Sequence, residues 1–538
     1  MESQTEGICP ICNQRATLKC NGCKQQFYCK KEHQRQDWPR HRSNCQAWEI
    51  RESCELGRYL VASRDLNPGD VILSESPLVW GPALHSDQRV CVGCGKQCNS
   101  GDTRCTKCLW PACDTYCSGL TDKNRHGLEC SFLIKARIIP RTRRTSRNMF
   151  VNSCFRCDVL LVIRMLILWR KKLKYWYSIE KLESHQDSRG QGTNAYEETM
   201  NIYQHIERLL PDDPSSKDIV RKICGLIDVN ALETIPPEGC VAIYETACLL
   251  EHSCLANTRH SFKIDDKGRP RITVIAVCSI QKWDHLSTMY THALWSTRAR
   301  RAHLSETKYF SCHCKRCADP TELGTHLGTL KCPHDNDFIL PKDPLNFDSQ
   351  WGCNSCPGTL TASEVMQFVG KLEEDVDEIM YQANKNKLVD LLSRLTTLLH
   401  PGHQLCISVS HSLIQLLPAS DPKKPELCKR IIKTTKTLDP YGARLALYTA
   451  VALRELSACP GENREGLLSE AISLLQFEPE NSPGEKLRTC WLFKRFINEP
   501  FFKLGELTSN SHHELFSKIE ISLLSYVIFA YIRELYSR

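Results

Sequence analysis

A chain of 538 residues exceeds one ordinary domain and calls for about three or four. At 41% hydrophobic and 25% charged it has ample core-forming material, and its formal charge of +8 is spread along the chain outside Arg141–Arg147. That distribution favours mild attraction to nucleic acid or an acidic partner at most, because a dedicated nucleic-acid binder concentrates its charge, and with no basic recognition helix visible a sequence-specific DNA-binding finger protein is a distant third reading. Thirty-two cysteines, most in Cys-x-x-Cys pairs interleaved with histidine, have zinc spacing rather than the pattern of a disulfide framework. No signal peptide opens the sequence, so a reducing compartment, cytosol or nucleus, is expected. The apolar runs Val159–Trp169 and Ile521–Ile532 fall short of the roughly 20 residues that cross a bilayer, which predicts buried helices and no membrane partner.

In chain order, Cys9, Cys12, Cys20, Cys23, Cys29, His33, His41 and Cys45 supply ligands for two tetrahedral zinc sites, and spacing alone allows several pairings. With Tyr28 before Cys29 and Trp38 before His41, the segment resembles a MYND finger. That resemblance implies interleaved pairs: Cys9, Cys12, Cys29 and His33 on one zinc; Cys20, Cys23, His41 and Cys45 on the other. A finger this short cannot fold on core burial, so the metals supply its stability. The finger is either a folding staple or a module that captures proline-rich peptides through Gln34 and Trp38, as the resemblance implies.

Gly57–Ala62 and Val71–Leu73 flank Asn67-Pro68-Gly69-Asp70, which predicts a β-hairpin. Cys91, Cys94, Cys105, Cys108, Cys113, Cys117, His126 and Cys130 then repeat the zinc spacing without the tryptophan before the histidine, so this copy reads as structural. Val159–Trp169, Ile179–His185 and Tyr196–Leu210 are predicted helices, with an exposed loop at Ser188–Thr193. His260–Ile264 and Arg271–Val277 flank a glycine turn and predict a second hairpin. Cys312-x-Cys314-x2-Cys317 offers three thiolates where tetrahedral zinc needs four, and Cys254 is the candidate for the fourth. Cys332, Cys353 and Cys356, with His334 nearby, either hold a further zinc or are spare thiols. From Thr361 to Pro500 cysteine thins out. Ser363–Met380, Lys387–Leu399, Cys406–Leu417, Glu426–Thr435, Tyr441–Leu456 and Gly466–Leu475 read there as antiparallel helix pairs, similar to a tetratricopeptide array without a clean repeat.

Three of these stretches carry a wider resemblance: Glu251-His252-Ser253-Cys254-x-Ala256-Asn257, Trp283-Asp284-His285 followed by Tyr290, and the triple-cysteine cluster. Together they resemble the SMYD family of SET-domain lysine methyltransferases, most closely the arthropod SmydA group with its Glu-His-Ser-Cys form. The resemblance implies zinc, S-adenosylmethionine and a protein substrate bearing lysine. It implies cofactor contacts at Gly57, Arg58, Asn230, Glu251, His252, Tyr290 and Phe310, with Tyr290 as the catalytic tyrosine. Taken singly, Tyr290 and His252 would read as core residues. Four positions depart from the family pattern: Tyr59 replaces Gly, Glu251 replaces Asn, Ala256 replaces Pro, and Trp283-Asp284-His285 replaces Gly-Glu-Glu.

The expected fold is α+β, a SET-domain β-ribbon fold with zinc fingers and a helical C-terminal domain. Its parts are a MYND finger (1–50), the first SET part (51–90), a second finger (91–130), a helical insert (131–225), the SET core (226–300), a post-SET zinc region (301–360) and a helical domain (361–502), with 503–538 unassigned. The expected function is S-adenosylmethionine-dependent protein-lysine methylation, on histone or non-histone proteins, with a role in transcription regulation. The alternative is a catalytically weak or inactive zinc scaffold that binds proline-rich partners.

Overall fold

The computed structural model describes residues 6–497 apart from 21–25, 43–44, 87, 99–102, 124, 137–156, 172, 210–216, 335–336, 383, 477 and 479–481. Cys23, the basic stretch Arg141–Arg147, the apolar run Ile521–Ile532 and the tail from 503 lie outside the described residues. The chain forms two compact units. One comprises Met1–Leu250, His260–Leu286 and Thr307–Tyr309; the other comprises Glu251–Arg259, Ser287–Glu306 and Phe310–Arg538.

The first unit is built from short β-ribbons and a buried helix. Trp48–Ser53 pairs antiparallel with Gly57–Ala62. Val71–Glu75 lies against Pro270–Ala276, which also borders Thr258–Ile264. Val79–Pro82, Cys240–Ile243 and Leu232–Thr234 make a third sheet. The predicted hairpin between Gly57–Ala62 and Val71–Leu73 does not form. Its Pro-Gly turn is present, with Gly69 at φ +86° and the Asp70 amide bonded to Asn67 O, but it joins strands of different sheets. Only glycine adopts that φ freely, so the local signal was correct for the turn and silent on the partners. The hairpin predicted around Asp265–Gly268 does form, and alternate residues Ile272, Val274 and Ala276 turn into the core.

Helix Leu160–Arg170 is buried along 160–168, Arg164 included. Its guanidinium bonds both Glu129 oxygens, at 3.1 and 2.8 Å, together with Trp80 O and Val92 O. A buried charge persists when it is paired and fully hydrogen-bonded, which explains an arginine inside an apolar run. No helix among the described residues is long and apolar enough to cross a membrane. The predicted helix Ile179–His185 is absent. The helix there is Lys174–Ile179, and Glu183 then accepts the Ser184 and His185 amides and turns the chain.

The second unit opens with Glu251–His252 paired in parallel with Ser287–Thr288. A four-stranded antiparallel sheet follows: Leu330–Lys331, Phe338–Pro341, Trp351–Cys353 and Thr359–Leu360. Helices Ala362–Tyr381, Lys385–Leu398, Gln404–Leu416, Lys424–Leu438, Ala446–Ser457, Arg464–Leu474 and Pro483–Ile497 complete it. Thr361 and Glu364 form a reciprocal capping box at the first of these. The predicted helix Tyr441–Leu456 begins only at Ala446. Asp439 gathers the amides of Ala443, Arg444 and Leu445, a side-chain turn that competes with the helix.

Candidate functional site

Among the described residues, ligand atoms lie within 4.8 Å of one another in groups that include Cys9, Cys12, Cys29 and His33; Cys20, His41 and Cys45; Cys91, Cys94, Cys113 and Cys117; Cys105, Cys108, His126 and Cys130; and Cys254, Cys312, Cys314 and Cys317. Soft thiolates with imidazole at this spacing fit tetrahedral zinc. In both fingers the pairs interleave along the chain. In the first, His33 offers Nδ1, at 3.5 Å from Cys9 Sγ and 3.2 Å from Cys29 Sγ. In the second, His126 offers Nε2, 3.3 Å from Cys108 Sγ.

The second finger carries a support that the ligand spacing did not reveal. His126 Nδ1 lies 3.2 Å from Glu129, which is 0% exposed and is itself held by Arg164. A carboxylate behind a zinc-bound imidazole fixes its tautomer and orientation. Glu129→Gln is therefore expected to weaken zinc retention about 10–100-fold and to leave Arg164 buried without its counter-charge. Competition with a zinc chelator measures the first effect, and unchanged retention would refute the role.

The first finger keeps an aromatic surface. Trp38 is half-buried, packs edge-on to His41 and lies under the Arg64 guanidinium, 5.8 Å from its ring centroid. Gln34, one helical turn earlier, is also half-buried.

In the second unit the zinc group adjoins the predicted catalytic residues. His252 Nδ1 accepts the Tyr290 amide at 3.1 Å, which leaves the ring hydrogen on Nε2, 3.3 Å from Cys254 Sγ. His252, Tyr290 and Phe310 form an aromatic cluster, with centroids 5.3 Å apart for His252–Tyr290, 5.9 Å for His252–Phe310 and 6.5 Å for Tyr290–Phe310. Phe310 is 37% exposed and Tyr290 is half-buried, so the cluster has an open face. Glu251 lies next to His252 on the same short strand and is half-buried.

Several bonds hold the strand before Tyr290. Asn257 Oδ1 accepts the Ser287 amide at 2.9 Å, and Thr258 Oγ1 donates to Ser287 O. Arg444 donates to Thr288 Oγ1 and Met289 O. Arg300, 0% exposed, donates to both Cys254 Sγ and Cys317 Sγ at 3.3 Å and pairs with Glu322 at 2.7 Å. Hydrogen bonds from Cys312, Cys314 and Cys317 lower the Cys254 thiol below the ordinary thiol range. Sequence reasoning found the thiolates but missed Arg300 and Arg444, which carry no spacing signal.

The remaining predicted cofactor residues lie in the first unit. Gly57 has φ +63°, with no atom within 4 Å of the position a Cβ would take. Arg58 donates to Lys181 O at 2.9 Å. Asn230 ends helix Lys217–Asn230 and donates from Nδ2 to Glu183 O and Leu226 O, so Oδ1 is the atom it can offer a ligand. Lys308 Nζ caps the same helix end through Asp228 O and Val229 O. Two of the departures meet here: Tyr59 stacks on His285 at 4.6 Å, while Arg51 and Lys282 flank the Trp283 ring.

Residues 9–45 match the MYND finger family. The chain is 26% identical over 333 residues to the SET domain-containing protein SmydA-8, isoform B, of Drosophila melanogaster, covering 60% of this chain and 69% of that protein. The chain is similar to SmydA-type SET and MYND proteins. It is also 25% identical over 343 residues to the histone-lysine N-methyltransferase ASHR1 of Arabidopsis thaliana, covering 59% of this chain and 66% of that one. A shorter match, 35% over 75 residues, is to the N-lysine methyltransferase SMYD2 of Bos taurus, covering 12% and 17%. The fold of this chain is α+β, with short β-ribbons, an N-terminal MYND finger and a helical C-terminal region.

Proposed function

We propose that this SmydA-like protein transfers the methyl group of S-adenosylmethionine to a lysine amine of a protein substrate. The observation that carries the reading is the anchoring of Tyr290. Its backbone amide is fixed by His252 Nδ1, and His252 is in turn fixed beside the zinc ligand Cys254. The cofactor supplies a sulfonium methyl. An open aromatic face suits a cationic ligand of this kind, because ring faces attract it.

The chain's own part is alignment and desolvation. A lysine amine with pKa about 10.4 must release its proton to solvent before its lone pair can attack, and excluding water from the nitrogen afterwards favours the neutral form. As the new C–N bond forms the C–S bond breaks, and the sulfur leaves as a neutral thioether. Holding donor and acceptor in line contributes most of the acceleration, so rigidity around Tyr290 matters more than any acid or base. His252, Glu251, Phe310 and Tyr290 are the proposed cofactor and channel residues of the second unit. Transfer of radiolabelled methyl from S-adenosylmethionine to histones or cell-extract proteins tests the activity. Absence of cofactor binding in folded, zinc-loaded protein would overturn it.

The MYND finger is a protein-interaction module, and we infer that its ligand is a proline-rich peptide at Gln34 and Trp38. Trp38→Ala in the full chain is expected to abolish binding of such peptides, measured by fluorescence anisotropy, with zinc content unchanged. Peptide binding that survives the substitution would place recognition elsewhere. A cytosolic or nuclear location, and action on chromatin, belong to the same proposal.

A further inference from the structure

We propose a further zinc site in the second unit, formed by Cys332, Asp337, Cys353 and Cys356 at one end of the four-stranded sheet. Lys331 pairs with Phe338, so Cys332 and Asp337 directly follow and precede the first two strands at one end of the sheet. Gly352 pairs with Thr359, so 353–358 form the turn between the last two. Ile339 lies opposite Cys353, and the two connections therefore leave the sheet at the same end. Two facing connections that each present a pair of ligands are the arrangement a tetrahedral metal needs.

The distances fit. Cys332 Sγ and Cys356 Sγ are 3.7 Å apart, the edge of a tetrahedron with metal–sulfur bonds of about 2.3 Å. Asp337 Oδ2 lies 3.9 Å from Cys353 Sγ. The Cys332 amide donates to Asp337 O at 2.7 Å, which closes the first connection and brings its two ligands together. Ser355 Oγ donates to Asp337 Oδ2 at 2.6 Å, an outer bond that orients a ligating carboxylate, and the Ser355 amide donates to Cys353 Sγ at 3.4 Å. Three thiolates and one carboxylate form a donor set that zinc accepts. His334, which the sequence offers as the partner of these cysteines, stands exposed in the first connection, and the carboxylate takes its place.

The site would have a structural task. Cys332 is buried, and it packs with Leu330, Trp351, Val365, Leu388 and Leu391 in one apolar cluster. A metal here ties the open end of the sheet together beneath helices Ala362–Tyr381 and Lys385–Leu398.

Metal analysis of the full chain should find one zinc more than the five groups described above account for. Cys356→Ser should lose one zinc, while His334→Ala should lose none. Because the first variant can also unfold, a gain of ligand gives the independent test. In cobalt-substituted protein, Asp337→Cys should raise the thiolate-to-cobalt charge-transfer absorption by the share of one added thiolate. A wild-type content of five zinc ions, loss of zinc in His334→Ala, or unchanged charge transfer in Asp337→Cys would overturn the proposal.

Discussion

Replacing Cys254 with serine should remove one zinc per chain and melt the core around it. Cys254 joins the strand Glu251–His252 to ligands some sixty residues downstream, where its Sγ lies 3.9 Å from Cys312 Sγ and 3.6 Å from Cys317 Sγ. The loss would spread through charge as well as through the metal. Arg300 and Arg316 are both 0% exposed, and they share a single buried carboxylate, Glu322. Two guanidinium groups against one carboxylate leave one positive charge, and Arg300 places its donors on the sulfurs of Cys254 and Cys317. The substitution removes one of the two thiolates that face this charge and leaves Cys317 as the other, so the cost beyond the lost metal stays below the about 3–5 kcal/mol of a fully broken buried pair. Zinc analysis and thermal melting check this together. Full zinc content with an unchanged melting point would remove Cys254 from the site.

What was legible in the sequence follows the range of the physics. Zinc ligands stand out because each pair is set by a turn a few residues long, so spacing alone carries the geometry. The buried helix Leu160–Arg170 was legible from its apolar content, but Arg164 looked like an interruption. Its partner Glu129 lies 35 residues away and leaves no periodic trace. Strand pairing failed where the partner was mostly polar: Gly57–Ala62 pairs with Trp48–Ser53, whose apolar alternation ends at Ile50 before Arg51, Glu52 and Ser53. Asp337 was invisible for a related reason, since a single carboxylate five residues after a cysteine has no distinguishing context.

Among the departures from the family pattern, Tyr59 and His285 stack on each other, so one substitution accommodates the other. Stacked pairs of this kind contribute about 0.5–1.5 kcal/mol beyond area burial. Trp283, at φ +78°, is flanked by the cations of Arg51 and Lys282. These changes rebuild one surface coherently, and they are distinct from the His252–Tyr290 anchor in the second unit. Sequence counting treats them as separate losses, whereas the structure makes them one exchange.

Tyr290→Phe should lower methyl transfer about 10²-fold, the loss typical of removing one preorganised polar group at a reacting centre, and leave S-adenosylmethionine affinity nearly unchanged. The substitution spares the contacts that position the residue. His252 holds the backbone amide, not the hydroxyl, and the edge-on packing against Phe310 needs only the ring. The zinc ligands are also untouched, so metal content serves as the control for folding. The hydroxyl then acts only while the methyl moves, which shows as a fall in kcat with little change in cofactor binding. His252→Ala separates anchor from hydroxyl. It should lower transfer too, but by freeing the Tyr290 amide, so a second replacement at Tyr290 should add little to it, as for residues acting as a unit. Calorimetry with S-adenosylmethionine and transfer of labelled methyl give the two readouts. Equal turnover in wild type and Tyr290→Phe would remove Tyr290 from the chemistry, and a matching loss of cofactor affinity would make its role one of binding.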